Sequence, residues 1–126
     1  MNLAELFKHE KNLVVAPPGQ AIFRTGEKGT VMYVLMQGSV DVYIGNKIVE
    51  TAEPGAILGE MALIDQAARS ATVIAKGECR LLPIDIERFD HLIQQAPNFA
   101  RHVMKVMADR LRRMDGKILE GQTEKH

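Results

Sequence analysis

Short apolar segments closed by glycine or proline run from Leu13 to Ile84, and this punctuation restricts the fold more than any other feature. Each segment has the length of a strand and is too short for a helix to be assigned. Val40 to Ile44 alternates apolar and polar positions, and Gly45-Asn46 after it is a two-residue hairpin signal. About seven or eight such strands joined by tight turns predict an antiparallel β-sandwich or roll.

Helical patterns flank this β region on both sides. Leu3 to Phe7 is good helix material, with Asn2 as its cap. Asp85 is a suitable N-cap for a helix over Ile86 to Gln95, and Pro97 interrupts that helix. A second helix is predicted from about Asn98 to Met114 or beyond, because apolar residues recur at three- and four-residue steps. They are Phe99, Val103, Met107, Leu111 and Met114.

The stretch from Ile57 to Ala75 contains the residues that suggest a ligand-binding site. A short strand ends at Gly59, where the chain can approach a ligand closely because no Cβ intervenes. Glu60 and one helical turn follow it, and a loop of small residues then leads to Arg69 and Ser70. A β-branched strand closes the stretch.

These residues suit a ligand with both an anionic and a hydroxyl group. The start of a helix favours a small anion, and the guanidinium of Arg69 matches two phosphate oxygens. The Glu60 carboxylate would be wrong for a bare phosphate, but it can accept a proton from a sugar hydroxyl. Anion donors beside one acceptor therefore indicate a phosphorylated sugar such as a nucleotide.

The ordered set resembles the phosphate-binding cassette of the cyclic nucleotide-binding domains of bacterial transcription activators, kinase regulatory subunits and gated ion channels. That cassette reads roughly Phe-Gly-Glu-(Leu/Met)-Ala-Leu, a variable gap, then Pro-Arg-(Ser/Thr/Ala)-Ala-Thr-Val. This chain departs from it at two positions, with Leu58 in place of Phe and Ala68 in place of Pro, and neither supplies a ligand atom. The matching positions are Gly59, Glu60, Met61, Ala62, Leu63, Arg69, Ser70, Ala71, Thr72 and Val73.

The resemblance implies that residues 1–126 form one cyclic-nucleotide-binding domain, mainly β with flanking helices. A short N-terminal helix is expected within 1–10, and an antiparallel β-roll of jelly-roll type, with a short helix in the cassette, over 11–84. Two C-terminal helices, the hinge and the lid, take 85–118, and 119–126 is a polar tail that is expected to fray.

The resemblance also implies a role for each cassette residue. Arg69 binds the phosphate and Glu60 binds the ribose 2′-hydroxyl, while Ser70 and Ala71 donate a hydroxyl and a backbone N–H. In the family a threonine at the position of Ser70 tends to accompany cGMP, so cAMP is expected as the ligand and cGMP is the less favoured one. In the empty protein Glu60 can instead form a salt bridge with Arg69. The expected binding residues are Gly59, Glu60, Met61, Ala62, Arg69, Ser70 and Ala71.

The implied mechanism is that of a sensor. The nucleotide draws the loop between Gly59 and Ser70 into a tight form, the last helices pivot near Pro97, and the final helix covers the base. The chain carries no helix-turn-helix, kinase or membrane span, so an effector domain or protein outside this chain is expected to provide the output. The amphipathic last helix can also support a homodimer.

Two other classes of function are alternatives to a sensor. A protein-interaction module with a vestigial pocket is the main alternative, and the intact pair of Glu60 and Arg69 argues against it. An enzyme on a cupin-like roll would need metal ligands or a catalytic motif, and the sequence contains neither. The histidines are scattered without metal-ligand spacing, at positions 9, 91, 102 and 126. A non-enzymatic module without a metal is therefore expected.

Charge and cysteine content suggest the partners and the compartment. The formal net charge is +0, although residues 97–126 hold seven Lys/Arg against four Asp/Glu. This mild basic excess favours a solvated helix face over a nucleic-acid surface. One cysteine, Cys79, cannot form an internal disulfide, and no signal peptide or long apolar run is present. A cytoplasmic location is therefore expected.

Overall fold

A computed structural model describes the backbone of residues 1–124 and the side chains of residues 1–113. The helices are α1 (Leu3–Leu6), α2 (Glu60–Asp65), α3 (Ile86–Gln95) and α4 (Pro97–Glu124). The strands are β1 (Val14–Ala16), β2 (Ala21–Phe23), β3 (Val31–Gln37), β4 (Val40–Ile44), β5 (Lys47–Ala52), β6 (Ile57–Leu58), β7 (Thr72–Ala75) and β8 (Cys79–Asp85). The predicted antiparallel strands are thus confirmed, and β4 has the predicted bounds.

The strands form two antiparallel sheets of four strands each. One sheet has the order β1-β8-β3-β6 and the other has the order β2-β7-β4-β5. Successive strands mostly alternate between the two sheets, so the chain winds around the core as in a jelly roll. The antiparallel β architecture with flanking helices is therefore as predicted.

Apolar side chains from both sheets pack together in a shared buried cluster. The turn glycines and the period-two pattern place every second side chain of a strand on the inner face. Both sheets contribute to this buried cluster, and Cys79 is a member of it, as expected for a small apolar residue. Its members are Ala16, Phe23, Leu35, Val40, Ala52, Leu58, Val73, Ala75, Cys79 and Leu81.

The helix starts agree with the capping predictions. Asn2 Oδ1 accepts a hydrogen bond from the Glu5 N–H at 3.2 Å, and Asp85 Oδ1 accepts one from the Arg88 N–H at 2.9 Å. Pro97 is the first residue of α4 rather than a residue before it. Proline fits there because its missing N–H would have no partner in the first helical turn.

The predicted end of the last helix was wrong. The sequence interpretation assigned 119–126 to a tail, but α4 continues to Glu124. Glycines at 116 and 121 do not stop it, since one glycine inside a helix costs only about 1 kcal/mol relative to alanine. Phe99 and Val103 of the predicted stripe are buried and Leu111 is exposed. The side chain of Met114 and residues 125–126 lie outside the described residues.

The chain divides into two compact units. One is Asn2–His91, and the other joins Met1 to the chain from Leu92 onward. The first unit holds both sheets and the whole cassette. The pivot predicted near Pro97 stays a prediction. Among the described residues, no helix combines the length and apolar character that crossing a membrane requires.

Cys79 gives a direct test of the packing between the sheets. Its side chain is fully buried, its Sγ lies 3.0 Å from the Ser39 carbonyl oxygen, and burial raises the pKa of the Cys79 thiol. We expect an alkylating reagent at about pH 8 to label the native protein far more slowly than the urea-unfolded protein.

Because the folded-state pKa of the Cys79 thiol is raised, this thiol should favour folding below its unfolded pKa of about 8.5, and that contribution to the free energy of unfolding should be lost as the pH rises. Native labelling as fast as that of the unfolded chain would contradict this packing.

Candidate functional site

Gly59 joins β6 to α2 with a sharp change of direction. Its φ is 77°, in the left-handed region that residues other than glycine adopt only at an energetic cost. Gly59 also occupies the N-cap of α2. The helix that begins there buries Glu60, Ala62 and Leu63. The turn therefore places the first residue of α2 inward, with the Glu60 side chain only 2% exposed.

Arg69 lies in the loop between α2 and β7, and it is 6% exposed. Its Nη1 donates to the Gly59 carbonyl oxygen at 3.1 Å, and its Nη2 donates to the Val31 carbonyl oxygen at 2.8 Å. The Cζ of the guanidinium lies 4.2 Å from the centroid of the Phe23 ring, within the range of a cation–π contact. Two edges and one face of the guanidinium are therefore fixed by the protein.

The main chain of Arg69 is clasped by the loop that joins β2 to β3. The Arg69 N–H donates to the Glu27 carbonyl at 2.8 Å, and the Gly26 N–H donates to the Arg69 carbonyl at 2.8 Å. Next to this pair, the Thr25 N–H donates to Thr72 Oγ1 at 3.0 Å. The Asp65 carboxylate also accepts from the Ala67 N–H at 3.0 Å. These bonds brace the loop in which Ala68 replaces the family's proline.

Two glycines leave just enough room for the guanidinium. A Cβ at Gly29 would lie 2.3 Å from Arg69 Cζ, and a Cβ at Gly59 would lie 2.3 Å from Arg69 Nη1. Both distances are far shorter than any van der Waals contact between such atoms. Glycine at these positions therefore permits the close approach of the arginine.

The electrostatics of Arg69 combine burial with nearby acidic groups. Desolvation lowers the pKa of the Arg69 guanidinium, and the charges of Tyr33, Glu27 and Glu60 raise it. An arginine stays protonated in a protein, so the site retains a fixed positive charge. Glu60 also attracts this charge, and the guanidinium donates hydrogen bonds to the main-chain carbonyls of Gly59 and Val31. The salt bridge that the sequence suggested between Glu60 and Arg69 in the empty protein stays a prediction.

The other expected binding residues lie close by along the chain. Ala62 is buried, Met61 is 44% exposed, Ala71 is half-buried and Ser70 is exposed. Ser70 and Ala71 follow Arg69 directly, so all three residues lie immediately before β7. Their roles in binding stay predictions.

Sequence reasoning missed part of the surroundings of Arg69. Three of its contacts lie outside the cassette motif. They are Phe23 in β2, Gly29 in the loop between β2 and β3, and the carbonyl of Val31 in β3. In the sequence Phe23 has only the pattern of a strand residue, and Gly29 has only that of a turn residue. The signal available was the pair of glycines at 26 and 29 in a short loop, which can indicate close backbone approach as well as a turn.

Comparisons with known proteins indicate the family to which the chain is similar. A family model described as the cyclic nucleotide-binding domain matches residues 13–96. The potassium/sodium hyperpolarization-activated cyclic nucleotide-gated channel 4 of Oryctolagus cuniculus is 35% identical over 104 residues, covering 82% of this chain and 9% of the channel. The chain thus spans less than a tenth of the length of that relative.

Two solved structures are similar to the chain throughout most of its length. The crystal structure of the Thermus thermophilus catabolite activator protein has a TM-score of 0.78 and 29% identity, and covers 92% of this chain and 55% of that one. A structure described under a cyclic-GMP-dependent signalling pathway that regulates bacterial phytopathogenesis has a TM-score of 0.70 and 28% identity, with 79% and 82% coverage. The predicted β-roll is confirmed by the first of these similarities.

Proposed function

This chain belongs to the cyclic nucleotide-binding domain family, and we propose that it is a non-enzymatic sensor module whose ligand is cAMP. cGMP is the less favoured ligand, because in the family a threonine at the position of Ser70 tends to accompany cGMP. The preference is modest, since the Ser70 hydroxyl can serve either base. A cytoplasmic location and an effector domain or protein outside this chain are parts of the same proposal. Direct contact of this chain with nucleic acid is not part of it.

One observation carries the proposal. Within the part of the chain whose side chains are described, the charged residues that are buried are Glu60 and Arg69. Burying a charge has a large desolvation cost, and replacing a buried ion pair by apolar residues is often neutral or stabilising. Two buried charges of opposite sign at the cassette positions are therefore better explained by a ligand than by stability.

The geometry suggests how the ligand is held. A guanidinium has five N–H donors, and the two carbonyl contacts of Arg69 leave others for a phosphate. The main-chain and hydroxyl donors of Ser70 and Ala71 would complete the phosphate site. Glu60 would accept the ribose 2′-hydroxyl, while Gly59, Met61 and Ala62 would supply backbone surface and N–H groups.

We further propose that binding is linked to a movement of the C-terminal helices. The phosphate would tighten the loop between Gly59 and Ser70, α3 and α4 would pivot near Pro97, and α4 would cover the base. A ligand moves such an equilibrium only by binding one state better, and a shift from 1:99 to 99:1 needs about 10⁴-fold differential affinity. A homodimer through the last helix would be a separate consequence of its amphipathic pattern.

The alternative is a protein-interaction module whose pocket no longer binds a nucleotide. It predicts no response to any cyclic nucleotide, whereas its partner surface could lie elsewhere on the roll. The contacts of the Arg69 side chain argue against it, because two main-chain carbonyls and an aromatic ring hold the guanidinium at a specific geometry.

Thermal melting with added nucleotide tests the proposal. A ligand at 100 times its dissociation constant should stabilise the protein by about 2.7 kcal/mol, so cAMP should raise the melting temperature by several degrees. We expect a smaller rise with cGMP at equal concentration, and a smaller rise with 2′-deoxy-cAMP because the hydroxyl bound by Glu60 is missing.

5′-AMP is the control, since it keeps the base and the ribose but lacks the cyclic phosphate. An unchanged melting temperature with both cyclic nucleotides at millimolar concentration would reject the sensor and favour the interaction module. Equal shifts for cAMP and 5′-AMP would reject the assignment of the cassette as a cyclic phosphate site.

A further inference from the structure

The ring of Phe23 lies directly against the guanidinium of Arg69. The distance from Arg69 Cζ to the ring centroid is 4.2 Å, and Phe23 is 9% exposed. The same ring lies next to Gly59, because a Cβ built there would lie 3.2 Å from Phe23 Cε2. Tyr33 stacks on Phe23, with 6.3 Å between the ring centroids and 21° between the planes. Phe23 therefore contacts the guanidinium and is itself stacked on Tyr33.

We propose that Phe23 is a positioning residue that holds the plane of the Arg69 guanidinium for the ligand, an inference that rests on the proposed function for its binding half. The carbonyls of Gly59 and Val31 fix two points on the edge of this planar group. Two edge contacts alone still allow the plane to tilt about the line that joins them. A ring against one face removes this freedom, and the donors that remain then point in a fixed direction.

The attraction has a physical basis in the charge distribution of the ring. The face of an aromatic ring is negative, so it attracts a cation, and the attraction is stronger when both groups are removed from water. An aliphatic side chain of similar size would fill the space but would not hold the guanidinium plane. Phe23 is also a member of the core between the sheets, so its packing role must be separated from its positioning role.

The test compares Phe23→Leu with Phe7→Leu. Phe7 is also a buried phenylalanine, 5% exposed, at the C-cap of α1, so its replacement controls for the general loss of buried aromatic surface. Both variants should melt at lower temperature than the parent. We expect the dissociation constant for cAMP, measured by calorimetry, to rise about 3- to 30-fold in Phe23→Leu and to stay within twofold of the parent in Phe7→Leu. In an Arg69→Lys background, Phe23→Leu should have a smaller effect on affinity.

A second measurement needs no ligand. The side-chain N–H and methylene protons of Arg69 should show an upfield ring-current shift in the NMR spectrum of the parent protein, and this shift should disappear in Phe23→Leu. If Phe23→Leu does not fold, the parent spectrum alone decides, because unshifted Arg69 resonances would overturn the stacked geometry.

The outcomes separate the two proposals. If the parent binds no cyclic nucleotide, the proposed function fails, and the NMR shift still decides whether Phe23 holds the guanidinium. If the parent binds cAMP and Phe23→Leu binds it equally well, the positioning role is overturned while the sensor function stands. Equal losses of affinity in Phe23→Leu and Phe7→Leu would also overturn it, because they would reflect packing alone.

Discussion

Replacing Arg69 by alanine is expected to weaken cAMP binding by about 2–5 kcal/mol, which is a rise in the dissociation constant of roughly 30-fold to more than a thousandfold. The guanidinium is 6% exposed and already oriented by two carbonyls, so a phosphate would meet a preorganised and largely desolvated charge. Without it, the phosphate would enter the site facing the negative charge of Glu60. Isothermal titration calorimetry with cAMP measures the loss directly.

Arg88→Ala is the matched control for this variant. Arg88 also lies near an aromatic ring, with its Cζ 6.0 Å from the centroid of Phe7, and it pairs with Glu10 away from the cassette. Its removal should lower stability slightly and leave the affinity for cAMP unchanged. The phosphate assignment fails if Arg69→Ala binds cAMP as tightly as Arg88→Ala does. Melting curves of both variants without ligand check that each one is folded.

The strands and the cassette could be predicted because their signals are local. A glycine or proline closes each strand within a few residues, and the period of two shows directly which side chains face inward. The Asn2 and Asp85 caps depend only on a residue three positions further along. The cassette residues likewise follow one another in a single stretch, so their order and spacing could be compared with a known pattern.

The surroundings of Arg69 could not be predicted in the same way, because they depend on contacts between distant parts of the chain. The Val31 carbonyl has no sequence signature, since every residue carries a carbonyl. Phe23 has the pattern of any buried strand residue, and its contact with Arg69 depends on how the loop before β7 packs against β2. Gly29 differs from an ordinary turn glycine only through the guanidinium that occupies the space of its Cβ.

The end of α4 was missed for an energetic reason. The segment 119–126 contains Gly121 and was predicted to be a tail, but a single glycine costs only about 1 kcal/mol in a helix interior. Good helix formers precede it, in the segment from Lys117 to Glu120. A glycine therefore ends a short strand, whereas a long helix can continue through a single glycine.

The second large effect is expected at Gly59, where an added methyl group should act on both stability and binding. Gly59 has a φ of 77°, and alanine in this region costs about 1–2 kcal/mol. The new Cβ would also lie 2.3 Å from Arg69 Nη1, so the guanidinium must move away from its carbonyl partner. Because the displaced group is the end of a flexible side chain, the fold can accommodate the change, but the phosphate donor would be lost from its position.

Gly19→Ala separates these two contributions, since Gly19 has a φ of 84° and a Cβ there would have no atom within 4 Å. The two variants carry similar backbone strain, and Gly59→Ala should lose more unfolding free energy in urea because its Cβ also displaces the buried guanidinium. Only Gly59→Ala should bind cAMP at least tenfold more weakly, since a hydrogen bond to a charged group contributes about 1.5–3 kcal/mol. If the two variants bind cAMP equally well, the position of the guanidinium does not determine affinity. The ligand would then have to be held by groups other than Arg69, and the buried charges at this site would need another explanation.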